Sequence, residues 1–316
     1  MTSAGSRKLC CALLGAVLLA APAGASASPP SAAGFERATE RLLERPGFGA
    51  DPASVRSAAV RAAGEALFPD DIYVTLYGAP QLSNTELGTK SSKGAAREVV
   101  RLASRYEREG DDDAVPGFDL IGVVANSTPG PDRKYRTRQP DELIASYLER
   151  IRDAGGRLML DIQPGRSTAA KEVDALEEWF AEPDVDAAID PEWNVGPRGV
   201  PGQTTGSIDA REINAVSRKL DKLVDEGDLP PKVLVVHQFT KKMIRNRKRI
   251  KQREEVQVVL NFDGIGSPDA KVAGYEALAS RRLFNGFSIF LRLDTKVMSP
   301  AEVLGIVPAV RFLLYQ

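Results

Sequence analysis

Eight short apolar runs, separated by helix-like stretches, are the strongest constraint on how this chain folds. The runs are DIYVTLYG (71–78), FDLIGVVAN (118–126), RLMLDIQ (157–163), VDAAIDPE (185–192), KVLVVHQF (232–239), VQVVLNFD (256–263), FNGFSIFLRLD (284–294) and AVRFLLYQ (309–316). Most are near-continuously apolar, the pattern of parallel strands covered on their outer face. Helical patterns lie near 92–109, 140–154, 168–181, 210–226, 240–253, 268–280 and 300–306. Several carry end signals. Asp209 stands three residues before Glu212, and Ser299-Pro300-Ala301-Glu302 combines an N-cap, a first-turn proline and a capping-box glutamate. Gly155-Gly156 and Gly227 end helices. Strand and helix alternating in this way predict an α/β fold, a (β/α)8 TIM-type barrel over 71–316. The competing open, doubly wound sheet is disfavoured, because YGAPQLSNTELG after the first run has no G-x-G-x-x-G spacing. No helical pattern follows the eighth run. A stretch near 53–67, with Val55, Ala59, Ala63 and Leu67 on one stripe behind Asp51-Pro52, is expected to replace the missing eighth helix.

Residues 1–27 read as a signal peptide. Arg7 and Lys8 precede an apolar stretch from Leu9 to Ala21, and Ala25-Ser26-Ala27 fits a small-residue cleavage site. A secreted protein is expected, with no membrane insertion after cleavage. Residues 28–70 form a leader and N-terminal helices, one of them placing Phe35, Ala38, Leu42 and Leu43 on a stripe. Both cysteines, Cys10 and Cys11, fall in the signal peptide, so the mature chain is held by its core alone. A formal charge of -1 and a pI of about 6.1 give no reason to expect nucleic acid as a partner. His237 is the one histidine, which excludes zinc sites built on several histidines.

Active sites of such barrels lie at the C-terminal strand ends. Those ends offer Tyr77, Asn126, Asp161 with Gln163, Asp190 with Glu192, His237, Asn261 with Asp263, Arg292 with Asp294, and Tyr315. Residues two apart on a strand share a face, about 6.5 Å from each other. The pairs 161/163, 190/192 and 261/263 are therefore expected to turn toward the barrel axis. Carboxyls crowded in one mouth repel one another, and burial raises their pKa further. At least one is then expected to hold a proton near neutrality, as a general acid must. His237 orients a carboxylate, contacts substrate, or is a core histidine.

Trp193 opens a long Gly- and Pro-rich loop and is either a stacking surface for a sugar ring or packed beneath that loop. The loop after the second run is long and basic, with Tyr135, Arg136 and Arg138 placed to line a cleft. The run TKKMIRNRKRIKQRE (240–254) reads as a helix with a solvated basic face, from which Arg245 and Arg247 reach toward the site and the remainder attracts an anionic polymer.

DIQPGR (161–166), DPEW (190–193), HQF with MIRNR (237–247) and FDGIG (262–266) resemble a group of secreted actinobacterial barrel proteins without a settled activity. That resemblance implies a barrel and supplies no reaction. VDAAIDPEW is also faintly similar to the D-x-x-D-x-D-x-E strand of chitinase-like glycoside hydrolases, against which Asp186, Asp190 and Glu192 align with a spacing one residue off. Many barrel glycosidases carry an acid/base glutamate just after the fourth strand, the place of Glu192.

These readings converge on a secreted glycoside hydrolase-like enzyme acting on a glycan or cell-wall polymer. It needs no cofactor. Glu192 is the expected general acid, and Asp161, Asp190 or Asp263 the base or nucleophile. Tyr77, Asn126, Gln163, Trp193, His237, Asn261, Arg292 and Tyr315 are the expected substrate contacts. Two alternatives stand beside it. One is a barrel enzyme holding Mg2+ or Mn2+ through Asp161, Asp190, Glu192 and Asp263. The other is a non-catalytic barrel that binds cell-wall polymer.

Overall fold

The computed structural model describes residues 66–316. The expected signal peptide, leader and helix at 35–43, and nearly all of the helix expected at 53–67, lie outside the described residues.

Eight parallel strands close into a ring: β1 (Asp71–Gly78), β2 (Asp113–Ala125), β3 (Arg157–Ile162), β4 (Val185–Ile189), β5 (Lys232–Gln238), β6 (Val256–Phe262), β7 (Phe284–Ile289) and β8 (Phe312–Tyr315). Each pairs with its sequence neighbour, and β1 pairs with both β2 and β8, so the sheet has no open end. This is a TIM-type barrel. Helices follow as expected: α1 (Glu86–Thr89), α2 (Ser92–Glu109), α3 (Asp141–Arg152), α4 (Ala169–Ala175), α5 (Glu177–Phe180), α6 (Ala210–Gly227), α7 (Pro268–Leu278) and α8 (Pro300–Leu304). The Ser299/Glu302 capping box on α8 forms. On α6 only half of one does. Asp209 accepts from Arg211 N, while Glu212 turns away to accept from Ala169 N at 2.7 Å, the first residue of α4.

One expected helix is absent. After β5 the run 240–254 is irregular, broken only by a two-residue strand, Ile244–Arg245, and a single 3-10 turn, Arg247–Arg249. Its composition suits a helix, but its buried residues Met243, Ile244 and Ile250 make no helical stripe. Polar groups tie it to α6 instead. Ile244–Arg245 pairs with Ile208–Asp209, and Asn214 bonds Arg249 O at 2.8 Å and Lys251 N at 2.8 Å. Arg253 reaches Ser217 and Asp221 at 3.0 and 3.1 Å. The basic run is thus a strap down the outer wall. Its Arg247 donates to Leu278 O, and Arg245 to Ser207, so neither reaches the mouth as expected.

The barrel interior is layered. Leu67 and Phe68 are buried at the base, where Gln257 holds both Phe68 N and Phe68 O. Above them, fully buried Arg157 grips Asp186 through two bonds of 2.7 and 2.9 Å. Val233 N donates to the same carboxylate at 2.8 Å. Asp186, set against the chitinase-like pattern in sequence, therefore belongs to the base. An apolar tier that includes Met159, Ala188, Val235, Val259 and Leu314 follows. The polar mouth sits on top of it.

Candidate active site

Seven strands deliver polar side chains to this mouth. Tyr77 comes from β1, Asp119 from β2, Asp161 from β3, His237 from β5, Asn261 from β6 and Ser288 from β7; Asp190 and Asp263 stand one residue past β4 and β6. Strand alternation explains the selection. On each of these strands the neighbours on the opposite parity, such as Leu76, Leu120, Leu160, Val236 and Leu260, face the helices and join the outer core.

The polar groups form two linked sets. On one side, Tyr77 Oη donates to Asp161 Oδ2 at 3.3 Å, Gln163 Nε2 donates to Tyr77 Oη at 3.1 Å, and Gln163 Oε1 accepts from Ala125 N at 3.0 Å. On the other, His237 Nδ1 lies 2.8 Å from Asp263 Oδ2. Asn261 Nδ2 bonds Asp263 Oδ1 at 2.7 Å and Ser288 Oγ at 2.8 Å, and Ser288 Oγ in turn donates to Asp263. Between the sets lies Asp119, whose Oδ2 is 4.0 Å from His237 Nε2. Asp119, Asp161 and His237 are at most 2% exposed, while Asp190, Glu192 and Asp263 are part-exposed at the rim.

Burial and crowding shift protons here. Burial pushes Asp119 and Asp161 up to about 7 against the pull of His237, with Asp263 and Asp190 adding to the rise at Asp119, and Asp119 and Asp263 to that at Asp161. Asp190 is held well above the ordinary carboxylate range, first by burial and then by Asp161, with Glu192 and Asp263 adding to it. For His237 burial acts to lower the pKa, but Asp263, followed by Asp161 and Asp190, overrides it and holds the imidazole well above its ordinary value. The site thus combines carboxyls that keep protons near neutrality with an imidazole that stays charged. That is the pairing of unlike titrating groups on which acid–base catalysis rests.

Not every expected contact belongs to this cluster. The register of β2 against β3 shifts between Ile121 and Val123, which breaks the alternation before Asn126. Asn126 bonds Thr137 at 2.8 Å and clips the loop to the short strand Arg136–Arg138, antiparallel to β2. Arg136 and Arg138 are both held by buried Glu172, at 2.9 and 2.8 Å, rather than lining a cleft. Tyr135 lies under the Arg166 guanidinium, 4.0 Å from its ring centre. Strand β7 ends at Ile289, five residues before the expected end at Asp294. Arg292 consequently reaches Glu86 at 2.7 Å, on the first helix after β1. Asp294 pairs with Lys271 and accepts from Gly266 N and Phe290 N. Tyr315 faces outward and meets Tyr106 of α2 at 2.8 Å. It floors a groove of about 580 Å3 between α2 and the 291–302 segment, on the outer wall rather than in the mouth.

Strand β4 also stops before its expected end. Asp190 caps a 3-10 turn, Pro191–Trp193, by accepting from Glu192 N at 3.1 Å. Glu192 and Trp193 therefore stand on a turn at the rim, and strand alternation does not set their direction. Asp119 and Ser288 are not among the residues expected from sequence, because they lie inside their strands rather than at the predicted strand ends. The available signal was a lone aspartate within an apolar run, which is costly to bury without a purpose. Among the described residues no group of three or more His, Cys, Asp or Glu is arranged to hold a metal ion, so Asp161, Asp190, Glu192 and Asp263 do not form the expected Mg2+ or Mn2+ ligand set. No helix among them is long and apolar enough to cross a membrane.

No sequence-family model and no curated protein matches the chain. Among solved structures it is similar to oxaloacetate acetylhydrolase bound to 3,3-difluorooxalacetate, at 12% identity and a TM-score of 0.46 over 84% of this chain and 81% of that one. The same enzyme with the product oxalate gives 12% identity and 0.43 over the same shares. A sugar phosphate isomerase/epimerase from Parabacteroides distasonis gives 12% and 0.34, over 79% of this chain and 88% of that one. The barrel assignment rests on the strand pairing itself.

Proposed function

We propose that the protein is a secreted acid–base enzyme of the glycoside hydrolase type, cleaving a glycan or cell-wall polymer at the barrel mouth. One observation carries this reading: Asp119, Asp161, Asp190, His237 and Asp263, far apart in sequence, come from five consecutive barrel strands to the end where barrel enzymes do their chemistry. Glycosidic cleavage needs one carboxyl that gives a proton to the leaving oxygen and a second, ionised one that assists attack. Asp190 is better suited to the first role than Glu192. It is part-exposed, so a substrate can reach it, and burial and Asp161 keep its proton in place. Glu192, two residues on, is the neighbouring carboxylate for the second role. His237 and Asp263 supply a fixed charge pair beside them.

The test is release of reducing ends from isolated bacterial cell wall and a panel of soluble glycans. Asp190→Asn and Glu192→Gln are each expected to lower kcat by about 10²-fold or more while leaving the far-UV circular dichroism unchanged. In Asp190→Asn the alkaline limb of the pH profile, where the acid loses its proton, should also disappear. Full activity in both variants, or no release from any substrate by the wild-type chain, would overturn the assignment.

A further inference from the structure

Beneath the rim, five buried polar atoms have no hydrogen-bond partner among the described residues: Asp119 Oδ1 and Oδ2, Asp161 Oδ1, His237 Nε2 and Asn261 Oδ1. On Asp161 and His237 the sister atoms are occupied. Asp161 Oδ2 is held by Tyr77 and His237 Nδ1 by Asp263, which fixes where the unpaired atoms point. His237 Nε2 faces Asp119 Oδ2 across 4.0 Å, too far for a direct hydrogen bond. Buried polar groups are almost always satisfied, so such a set marks a place where a ligand group completes the bonding.

We propose that Asp119 and Asp161 form a primary-amine subsite, receiving the ammonium group of an amino sugar unit of the substrate. This rests on the glycan reading above and narrows its substrate class. The donor count favours it. Three of the five open atoms are carboxyl oxygens and a fourth is an amide oxygen, and an ammonium has three N–H donors where a hydroxyl has one. The charge count agrees. The groups facing the subsite are Tyr77 from β1, Asp119 from β2, Asp161 from β3, Asp190 after β4, His237 from β5 and Asp263 after β6, while β7 contributes Ser288 and β8 the apolar Leu314. The imidazolium of His237 is already matched by Asp263. That leaves the remaining carboxyls without a cation, and an arriving ammonium supplies one while displacing protons.

The experiment is isothermal titration calorimetry of the whole protein with D-glucosamine, D-glucose and N-acetyl-D-glucosamine between pH 5.5 and 8.0. Glucosamine is expected to bind at least ten-fold more tightly than the other two at pH 7.5. Its affinity should weaken by up to ten-fold per pH unit below about 7, and titrations in buffers of different ionisation enthalpy should register proton release. Asp119→Asn should abolish the preference, and Asp161→Asn should reduce it, with the circular dichroism retained. Equal affinities for the three sugars, a preference that survives Asp119→Asn, or no binding of glucosamine at millimolar concentration would overturn the proposal. Preference for glucosamine without hydrolysis of any glycan would sink the hydrolase reading alone. Hydrolysis of neutral glycans with equal sugar affinities would sink the amine subsite alone.

Discussion

Replacing Asp119 by Asn is predicted to make the protein more stable in mild alkali. The ordinary aspartate pKa is 3.8, and burial lifts that of Asp119 to about 7. Between those values the native state binds more protons than the unfolded chain, so this group's contribution falls as pH rises. It is fully retained below about pH 4 and lost by about pH 8. A rise of roughly three pH units, at about 1.4 kcal/mol each, makes the loss about 4 kcal/mol at most. Asn carries no charge and avoids it. Urea denaturation at pH 5.0 and 8.5 measures the difference. The variant should gain on the wild type by about 2–3 kcal/mol from the lower pH to the higher, because about two of the three shifted units lie between pH 5.0 and 7. A gap between variant and wild type that is the same at both pH values would refute the reasoning, because it would mean that Asp119 titrates alike in the folded and unfolded chain. Destabilisation by a functional group at working pH is a familiar trade between stability and activity.

Other outcomes follow from the same geometry. Arg157→Met should leave the Asp186 carboxylate buried with Val233 N as its remaining hydrogen-bond donor of note and cost about 3–5 kcal/mol in urea denaturation. The double change Arg157→Met with Asp186→Leu should recover most of that, and a single variant within about 1 kcal/mol of wild type would contradict the role given to the pair. Asp263→Asn removes the strongest group holding the proton on His237, so the imidazole should deprotonate at lower pH than in the wild type. Since His237 is the one histidine of the chain, a single 15N-detected imidazole titration reads this directly.

Much of the barrel was legible because its strands are apolar on both parities and are bounded by turns. The runs beginning at Asp71, Arg157, Val185, Lys232, Val256 and Phe284 start where the strands start. Where a strand ends was harder to read. FNGFSIFLRLD remains apolar past Ile289, so its pattern places Arg292 on the barrel although the backbone has already turned toward α1. Tyr315 failed for a different reason. Its parity with Leu313 faces the helices, and a four-residue strand gives too little alternation to decide between the two sides. The pairs Asp161/Gln163 and Asn261/Asp263 succeeded because their flanking residues are large and apolar, which leaves a single way to orient them. The strap after β5 illustrates the limit of propensity. Arginine and lysine favour helix in isolation, but Asn214, Ser217 and Asp221 on α6 offer its backbone and side chains partners that no local pattern announces.

The apolar tier of Met159, Ala188, Val235, Val259 and Leu314 works as an insulating disc between two ionic storeys. The lower storey is self-neutralising, because Arg157 and Asp186 cancel within it. The upper one cannot borrow that guanidinium to settle its own excess of acid. Its electrical balance is kept through the open end alone, by protons or by cations that come from solvent. Engineering the lower storey should therefore alter melting behaviour and leave the chemistry above it largely untouched.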